Sequence, residues 1–274
     1  MSTETFRGYV APWECDEMGH MNIQFYAAKF AQSLSHHLHG LGASPAFSIG
    51  PAARAPGVTA LHMRFHKELH ASDLAAATAE VTDGPRLTHL MRNDETGALA
   101  ATASFTLGTF EAADTQLLPD DAAPRSVTAD LLKEDAMTSA FTRTNLSAIT
   151  SHECDASGFL NLRGYFSRLS DAQGHMWRLA GLGRQEQKAR GLATATVELN
   201  FSFFTPLKNE DLVEIRTALH IAGEKVLHYR HCYSNAATGA PAAQADGIGL
   251  LFDKSTRRAI ALPEDISARA RGHA

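Results

Sequence analysis

The sequence predicts a duplicated α+β fold in which each half is an antiparallel sheet wrapped around one long central helix. Two observations predict it. Glu14-Cys15-Asp16 with Gly19 and Asn22 returns as Glu153-Cys154-Asp155 with Gly158 and Asn161, an offset of 155 − 16 = 139. After each motif the apolar period is three or four residues and then changes to two, as a helix followed by strands requires. Tyr26 and Tyr165 keep the same offset, and further pairs drift from it by only a few residues: Phe65 with Phe203, Asp73 with Asp211, and the turn Asn93–Gly97 with Asn235–Gly239. Leu118-Pro119-Asp120-Asp121 with Arg125 likewise returns as Leu262-Pro263-Glu264-Asp265 with Arg269. Small loop insertions between two copies of one domain produce such drift, whereas solenoid repeats run to roughly 20–50 residues.

Each half begins with a short strand ahead of the motif. A helical face follows, Tyr26, Phe30, Leu34, Leu38 and Leu41 in the first copy and Tyr165, Leu169, Ala172, Met176 and Leu179 in the second. Gly40-Leu41-Gly42 and Gly181-Leu182-Gly183 stop these helices, as glycine at a helix C-terminus does. Alternation then marks strands at Val197–Phe203 and Val213–Leu219, more weakly at Leu61–Phe65 and the alanine-rich Leu74–Val81. Two more strands flank each Asn-x-x-Thr-Gly turn, Leu87–Met91 with Leu99–Phe110 and Val226–Tyr233 with Ile248–Phe252. One helix against four or five strands is buried most completely when the curved sheet wraps around it. The expected domains are residues 1–127 and 138–274, joined by a charged stretch, 126–143, that reads as a helical crossover.

The chain has 274 residues and is 44% hydrophobic, enough for a core in each domain. A net charge of −5 supplies no basic footprint for nucleic acid. Three cysteines without a close pair suit a reducing compartment. The polar start, Met1–Arg7, lacks the apolar run of a signal peptide, and no stretch approaches the roughly 18 apolar residues of a membrane span. A cytoplasmic protein without membrane or nucleic-acid partners is the expectation.

Asp-x-x-Gly-His-x-Asn followed by a Tyr and an amphipathic helix resembles the signature of hotdog-fold thioesterases of the 4-hydroxybenzoyl-CoA thioesterase type, whose wider family includes acyl-carrier-protein thioesterases with fused double hotdogs. The resemblance covers nearly the whole chain, one hotdog per half. It implies two domains paired through their sheets, an acyl thioester bound at their interface, and coenzyme A only as part of the substrate, with no cofactor. Tyr26, Tyr165, Gly19, Gly158 and Phe159 are the substrate-binding candidates it implies. A homo-oligomer of such double units is left open, as are the acyl group and the choice between coenzyme A and a carrier protein.

Thioester cleavage needs a nucleophile or general base beside the carbonyl and donors for the oxyanion. Asp16 and Asp155 are the candidates for the first. The backbone amides of Ile23 and Leu162, each seven residues later and in a first helical turn, are candidates for the second. Asn22 and Asn161 are placed to cap the helix or orient water. His20 is placed to contact the thioester or line the pocket, and its counterpart Phe159 removes that polar group, so the two sites should be unequal. Glu14 and Glu153 read as strand residues facing solvent, and Cys15 and Cys154 as small buried residues without a base.

His36, His37 and His39, or His62, His66 and His70, would suggest a metal. The positions equivalent to the second set, Asn200, Phe204 and Lys208, keep no ligands, so no metal is expected. Two rivals to hydrolysis remain: a double-hotdog dehydratase or hydratase on acyl thioesters, which needs a His–Asp pair, and a non-catalytic thioester-binding module.

Overall fold

The structure, a computed structural model, describes residues 3–51, 56–82, 86–108, 120–124, 141–221 and 223–272. The first half runs β1 (Thr3–Tyr9), α1 (Ile23–Gly40), β2 (Ser48–Ile49), β3 (Gly57–Phe65), β4 (Leu74–Thr82), β5 (Arg86–Asn93) and β6 (Leu99–Leu107). The second runs β7 (Thr142–Ala148), α2 (Leu162–Leu179), α3 (Arg184–Arg190), β8 (Leu192–Phe203), β9 (Leu212–Ile221), β10 (Val226–Asn235), β11 (Pro241–Asp253), β12 (Arg258–Ile260) and α4 (Glu264–Gly272). Strand order repeats, β1-β4-β5-β6-β3 in one half and β7-β9-β10-β11-β8 in the other. Successive members β1, β4, β5, β6 and β3 are antiparallel, as are β7, β9, β10 and β11.

By compactness the chain separates into one unit of Met1–Ala123, Thr150–Ser167 and Ser202–Asn209 and another of Pro124–Ile149, Arg168–Phe201 and Glu210–Ala274. Both aspartate motifs and the first turns of α1 and α2 therefore belong to the first unit. The expected crossover over 126–143 and the expected boundaries at 127 and 138 fall largely outside the described residues, as do Leu118, Pro119, Arg125 and Phe110.

The predicted helical faces are the buried ones. Tyr26, Phe30, Leu34 and Leu38 are at most 4% exposed, and so are Tyr165, Leu169, Ala172 and Met176, each large side chain stabilising by about 1.5–3 kcal/mol. The α1 face rests on β1, β4 and β5. Leu41 and Leu179 depart from this pattern: Leu41 is the C-terminal cap and is exposed, and Leu179, the last residue of α2, is half-buried. Both helices end in the same paired bonds, Ala43 N–H to Leu38 O with Gly42 N–H to His39 O, and Leu182 N–H to Trp177 O with Gly181 N–H to Arg178 O, the Schellman arrangement.

One long helix per half understates the second half, which adds α3 and α4. The seven residues of α3 are nearly all polar and bury only Gln187, so they carry no apolar period to read. Strands β8 and β11 also begin earlier than expected, in Leu192-Ala193-Thr194-Ala195-Thr196 and Pro241-Ala242-Ala243-Gln244-Ala245, where alanine gives little contrast between faces.

Each half contains a buried histidine whose Nδ1 pairs with a hydroxyl. In the first, Thr5 Oγ1 and Ser33 Oγ lie 2.6 Å apart and Ser33 Oγ lies 2.7 Å from His89 Nδ1, with His37 Nδ1 3.4 Å from His89 Nε2. In the second, Thr144 and Thr217 hydroxyls are 2.6 Å apart and Thr217 Oγ1 is 2.6 Å from His231 Nδ1. Burial holds His37 down to about 4 and His231 to about 3, and His89, next to His37 as well, lies well below its ordinary range.

A second polar feature anchors the aspartate loop. Lys29 on α1 is 6% exposed. It donates to Tyr9 O at 3.1 Å and pairs with Glu14 at 2.8 Å. Glu14 is thus not a solvent-facing strand residue. It closes a 3-10 turn over Pro12–Glu14 and accepts from Ala11 N–H at 2.9 Å. Glu153 does likewise over Ser151–Glu153, accepting from Thr150 N–H at 3.0 Å. Arg168 takes the place of Lys29 and donates to Ala148 O at 2.8 Å and to Ser147 Oγ at 3.1 Å.

Two stability predictions arise. The unfolded chain binds protons at its histidines as pH falls through about 6.5, whereas folded His37, His89 and His231 stay neutral. Stability is therefore complete above about pH 6.5 and is lost progressively as pH falls toward 4. Thermal melts between pH 7.5 and 5 should show a falling midpoint, with a shallower fall in His231→Gln; a midpoint independent of pH would refute it. Glu14→Gln leaves the buried Lys29 ammonium without its counter-charge and should cost about 3–5 kcal/mol in urea unfolding. An exposed, unstrained pair would cost less than about 1 kcal/mol.

Candidate active site

Asp16 and Asp155 sit in loops that match bond for bond. Met18 and His20 N–H donate to Asp16 Oδ1 at 2.8 and 3.1 Å. Ser157 and Phe159 N–H donate to Asp155 Oδ1 at 2.8 and 3.1 Å. The loops close through Asp16 N–H to His20 O and Asp155 N–H to Phe159 O, at 2.8 and 2.7 Å. Gly19 and Gly158 adopt φ of +77° and +82° and return their N–H groups to Asp16 O and Asp155 O, each at 3.0 Å. An L side chain is strained at that φ, which is why the motif carries glycine there. Each carboxylate thus has Oδ1 fixed by two backbone donors, and among the described residues Oδ2 is left to solvent.

The asparagines bring the helix to the loop. Asn22 N–H donates to Glu14 O and Asn161 N–H to Glu153 O, both at 2.9 Å. Asn22 Oδ1 accepts from Gln24 N–H at 3.1 Å and Asn161 Oδ1 from Gly164 N–H at 2.9 Å, the bond of an N-cap. Ile23 and Leu162 open α1 and α2, and helix geometry gives a first-turn N–H no intrahelical acceptor. The first turns of the two helices also meet. The Arg163 guanidinium lies 4.6 Å from the Phe25 ring centre, and its Nε is 3.4 Å from Gln24 Oε1.

The tyrosines lie deeper. Tyr26 is 4% and Tyr165 0% exposed, with rings packed edge-on against Phe65 and Phe203 at 5.4 and 5.2 Å. Tyr26 Oη accepts from Leu69 N–H at 3.0 Å, and burial pushes its hydroxyl well above the ordinary range. Cys15 and Cys154 lie near Ala11 O and Thr150 O, and neither is in a disulfide. Burial first, then the carboxylates of Asp16 and Glu14, pushes the Cys15 thiol up, away from the thiolate a nucleophile needs.

His20 is where the copies diverge. Its Nδ1 is 3.2 Å from Glu68 Oε1, and its ring stands edge-on to His70 with centres 5.0 Å apart. His20 and His70 are bridged through their backbones, and Phe159 and Lys208 are bridged in the same way. Sequence reasoning grouped His70 with His62 and His66, because spacing along one strand cannot show which distant loop returns beside it. Lys29, Arg168, Arg163 and Glu68 were missed for a similar reason. Only the buried helical position of Lys29 and Arg168 hinted at them.

No helix among the described residues is long and apolar enough to cross a membrane. Three solved structures are similar over most of their lengths. A provisionally named oleoyl thioesterase from Lactobacillus plantarum matches with a TM-score of 0.66 at 11% identity, covering 96% of this chain and 98% of its own. A 12:0-ACP thioesterase from Umbellularia californica matches at 0.61 and 12%, covering 90% and 94%. An acyl-ACP thioesterase from Bacteroides thetaiotaomicron matches at 0.58 and 10%, covering 89% and 96%. At such identities the likeness shows the fold, an antiparallel hotdog type. No curated protein sequence matches the chain. The family model of the thioesterase-like superfamily matches residues 10–127 and again 149–270, once for each aspartate loop and its helix, and the chain therefore belongs to the thioesterase-like superfamily.

Proposed function

We propose that the chain is a cytoplasmic acyl-CoA thioesterase built of two hotdog domains, residues 1–127 and 138–274, hydrolysing a thioester to free acid and coenzyme A. The observation that carries this reading is the duplicated loop, in which an aspartate with Oδ1 pinned and Oδ2 open stands seven residues before a helix's first N–H. Pinning by backbone donors orients the carboxylate and spends none of Oδ2. Water on Oδ2 of Asp16 or Asp155 gives up its proton as it attacks the carbonyl carbon. Negative charge then gathers on the carbonyl oxygen, where the N–H of Ile23 or Leu162 and the positive end of the helix stabilise it. Collapse of that intermediate breaks the C–S bond, and the thiolate leaves with a proton from the medium. These steps draw on no metal or redox cofactor. Gly19, Gly158, Tyr26 and Tyr165 shape the acyl-binding wall, the tyrosines by supporting the helix from below.

The dehydratase alternative is less well supported. It needs a histidine working with the aspartate, but His20 Nδ1 faces Glu68 and the second copy has Phe159. A non-catalytic module would have no need to keep two matching aspartate loops.

Asp16→Asn is the discriminating variant, because an amide oxygen still accepts the two backbone bonds while the base is lost. It should reduce kcat by roughly 100-fold or more without changing the melting temperature, measured as thiol release from a panel of short, long and aromatic acyl-CoAs. Asp155→Asn should cost less, because Phe159 fills and dries the second site. Unchanged turnover in both folded variants would end the aspartate mechanism. For the coenzyme, affinity for free coenzyme A should weaken as salt rises if lysine or arginine holds its phosphates; salt-independent binding would assign the affinity to the acyl pocket instead.

A further inference from the structure

We propose that His20, Glu68 and His70 form a site for one divalent transition-metal ion, present in the first copy and lost from the second. The three side chains come from two segments, and the fold holds those segments together. His20 and His70 are bridged through their backbones, and Met21 N–H donates to Leu69 O at 2.7 Å. One ligand atom from each side chain lies within 4.8 Å of the other two, a spacing that small side-chain rotations bring to zinc–ligand distances of about 2.0–2.2 Å. His20 is 13% exposed at its side chain, Glu68 40% and His70 49%. One wall is thus fixed and the opposite side is open to water, which would complete a four-coordinate ion.

Two imidazoles with one carboxylate suit zinc, nickel or copper rather than magnesium or calcium, which prefer oxygen alone. The surroundings favour a cation. Two carboxylates lie beside the site: the backbone N–H of His20 donates to Asp16 Oδ1 at 3.1 Å and the backbone N–H of His70 to Asp73 Oδ2 at 2.8 Å, with that oxygen also 3.8 Å from His70 Nδ1. The duplicated bridge serves as an internal control. Its partners in the second copy are Phe159 and Lys208, and Pro206 stands two residues before Lys208 as Glu68 stands two before His70. That position offers no ligand and one positive charge.

The hydrolysis reading is not needed for this site, whose readout is binding itself. The full chain, stripped with a chelator and dialysed, would be titrated with Zn²⁺ against a chromophoric competitor. One ion per chain should bind with micromolar or tighter affinity, and His70→Ala and Glu68→Gln should each weaken it by about tenfold or more. Both residues are exposed, so melting curves of the metal-free variants should match the parent and separate lost ligation from lost folding. Retention of no ion at micromolar zinc, or parent-like binding in both variants, would overturn the site and leave an ordinary His–Glu ion pair. Loss of turnover in Asp16→Asn with zinc binding intact would separate the two proposals.

Discussion

A buried positive charge on the long helix is the constraint around which the first aspartate loop is built. A bare ammonium among the side chains of α1 and β1 would be costly, so Lys29 takes the last carbonyl of β1 and draws Glu14 inward. Once Glu14 is held there, the chain between strand and helix has little freedom. Its backbone forms the 3-10 turn, its carbonyl receives Asn22 N–H, and Asn22 then caps α1. Asp16 lies on the part of the loop left outside this tie, which is why it is exposed, with Glu17 and Met18 after it, while Glu14 and Cys15 before it are half-buried. The second copy meets the same need with a guanidinium, whose several donors reach both Ala148 O and Ser147 Oγ.

Much of this was legible in the residues, for identifiable reasons. Gly19 and Gly158 mark a positive φ, Asn22 and Asn161 mark a cap, and a 3.6-residue period marks the buried face of each helix, all local rules acting within a few residues. The turns at Asn93 and Asn235 were legible on the same grounds, and each asparagine side chain accepts from the N–H groups two and three residues on. What was not legible depends on distant segments coming together. Glu68 and His70 join His20 only because the chain returns beside the loop after β3. Helix α3 and the early parts of β8 and β11 were invisible because polar or alanine-rich segments carry no contrast between faces.

Comparison of the two halves separates what the fold must keep from what it can exchange. The buried histidine is kept in both, but its hydroxyl comes from helix residue Ser33 in one and strand residue Thr217 in the other. Thr88 and Ser104, paired across β5 and β6, share a hydrogen bond of 3.0 Å. The corresponding strand pair, Arg230 and Asp246 across β10 and β11, is an ion pair of 2.7 Å with both side chains 7% exposed. A buried polar group requires a partner, not a particular one. Substitution therefore proceeds in pairs, as the cost of an orphaned donor or charge demands.

The same logic explains where the sites differ. The parts of the aspartate loop retained in both copies are those that act through backbone: the pinned carboxylate, the glycine, the capping asparagine and the first helical N–H. Such parts cannot be exchanged without moving the loop itself. His20 and Phe159 stand on equivalent bridges whose backbone bonding does not depend on side-chain identity. That position and its bridge partner are free to vary, and they have changed together, from two imidazoles to a phenyl ring beside a lysine. Duplication thus preserves the chemistry built from main chain and allows the chemistry above it to diverge. In the first copy the solvent side of the aspartate loop is polar and rich in metal-ligating atoms, whereas in the second it is apolar with a positive charge.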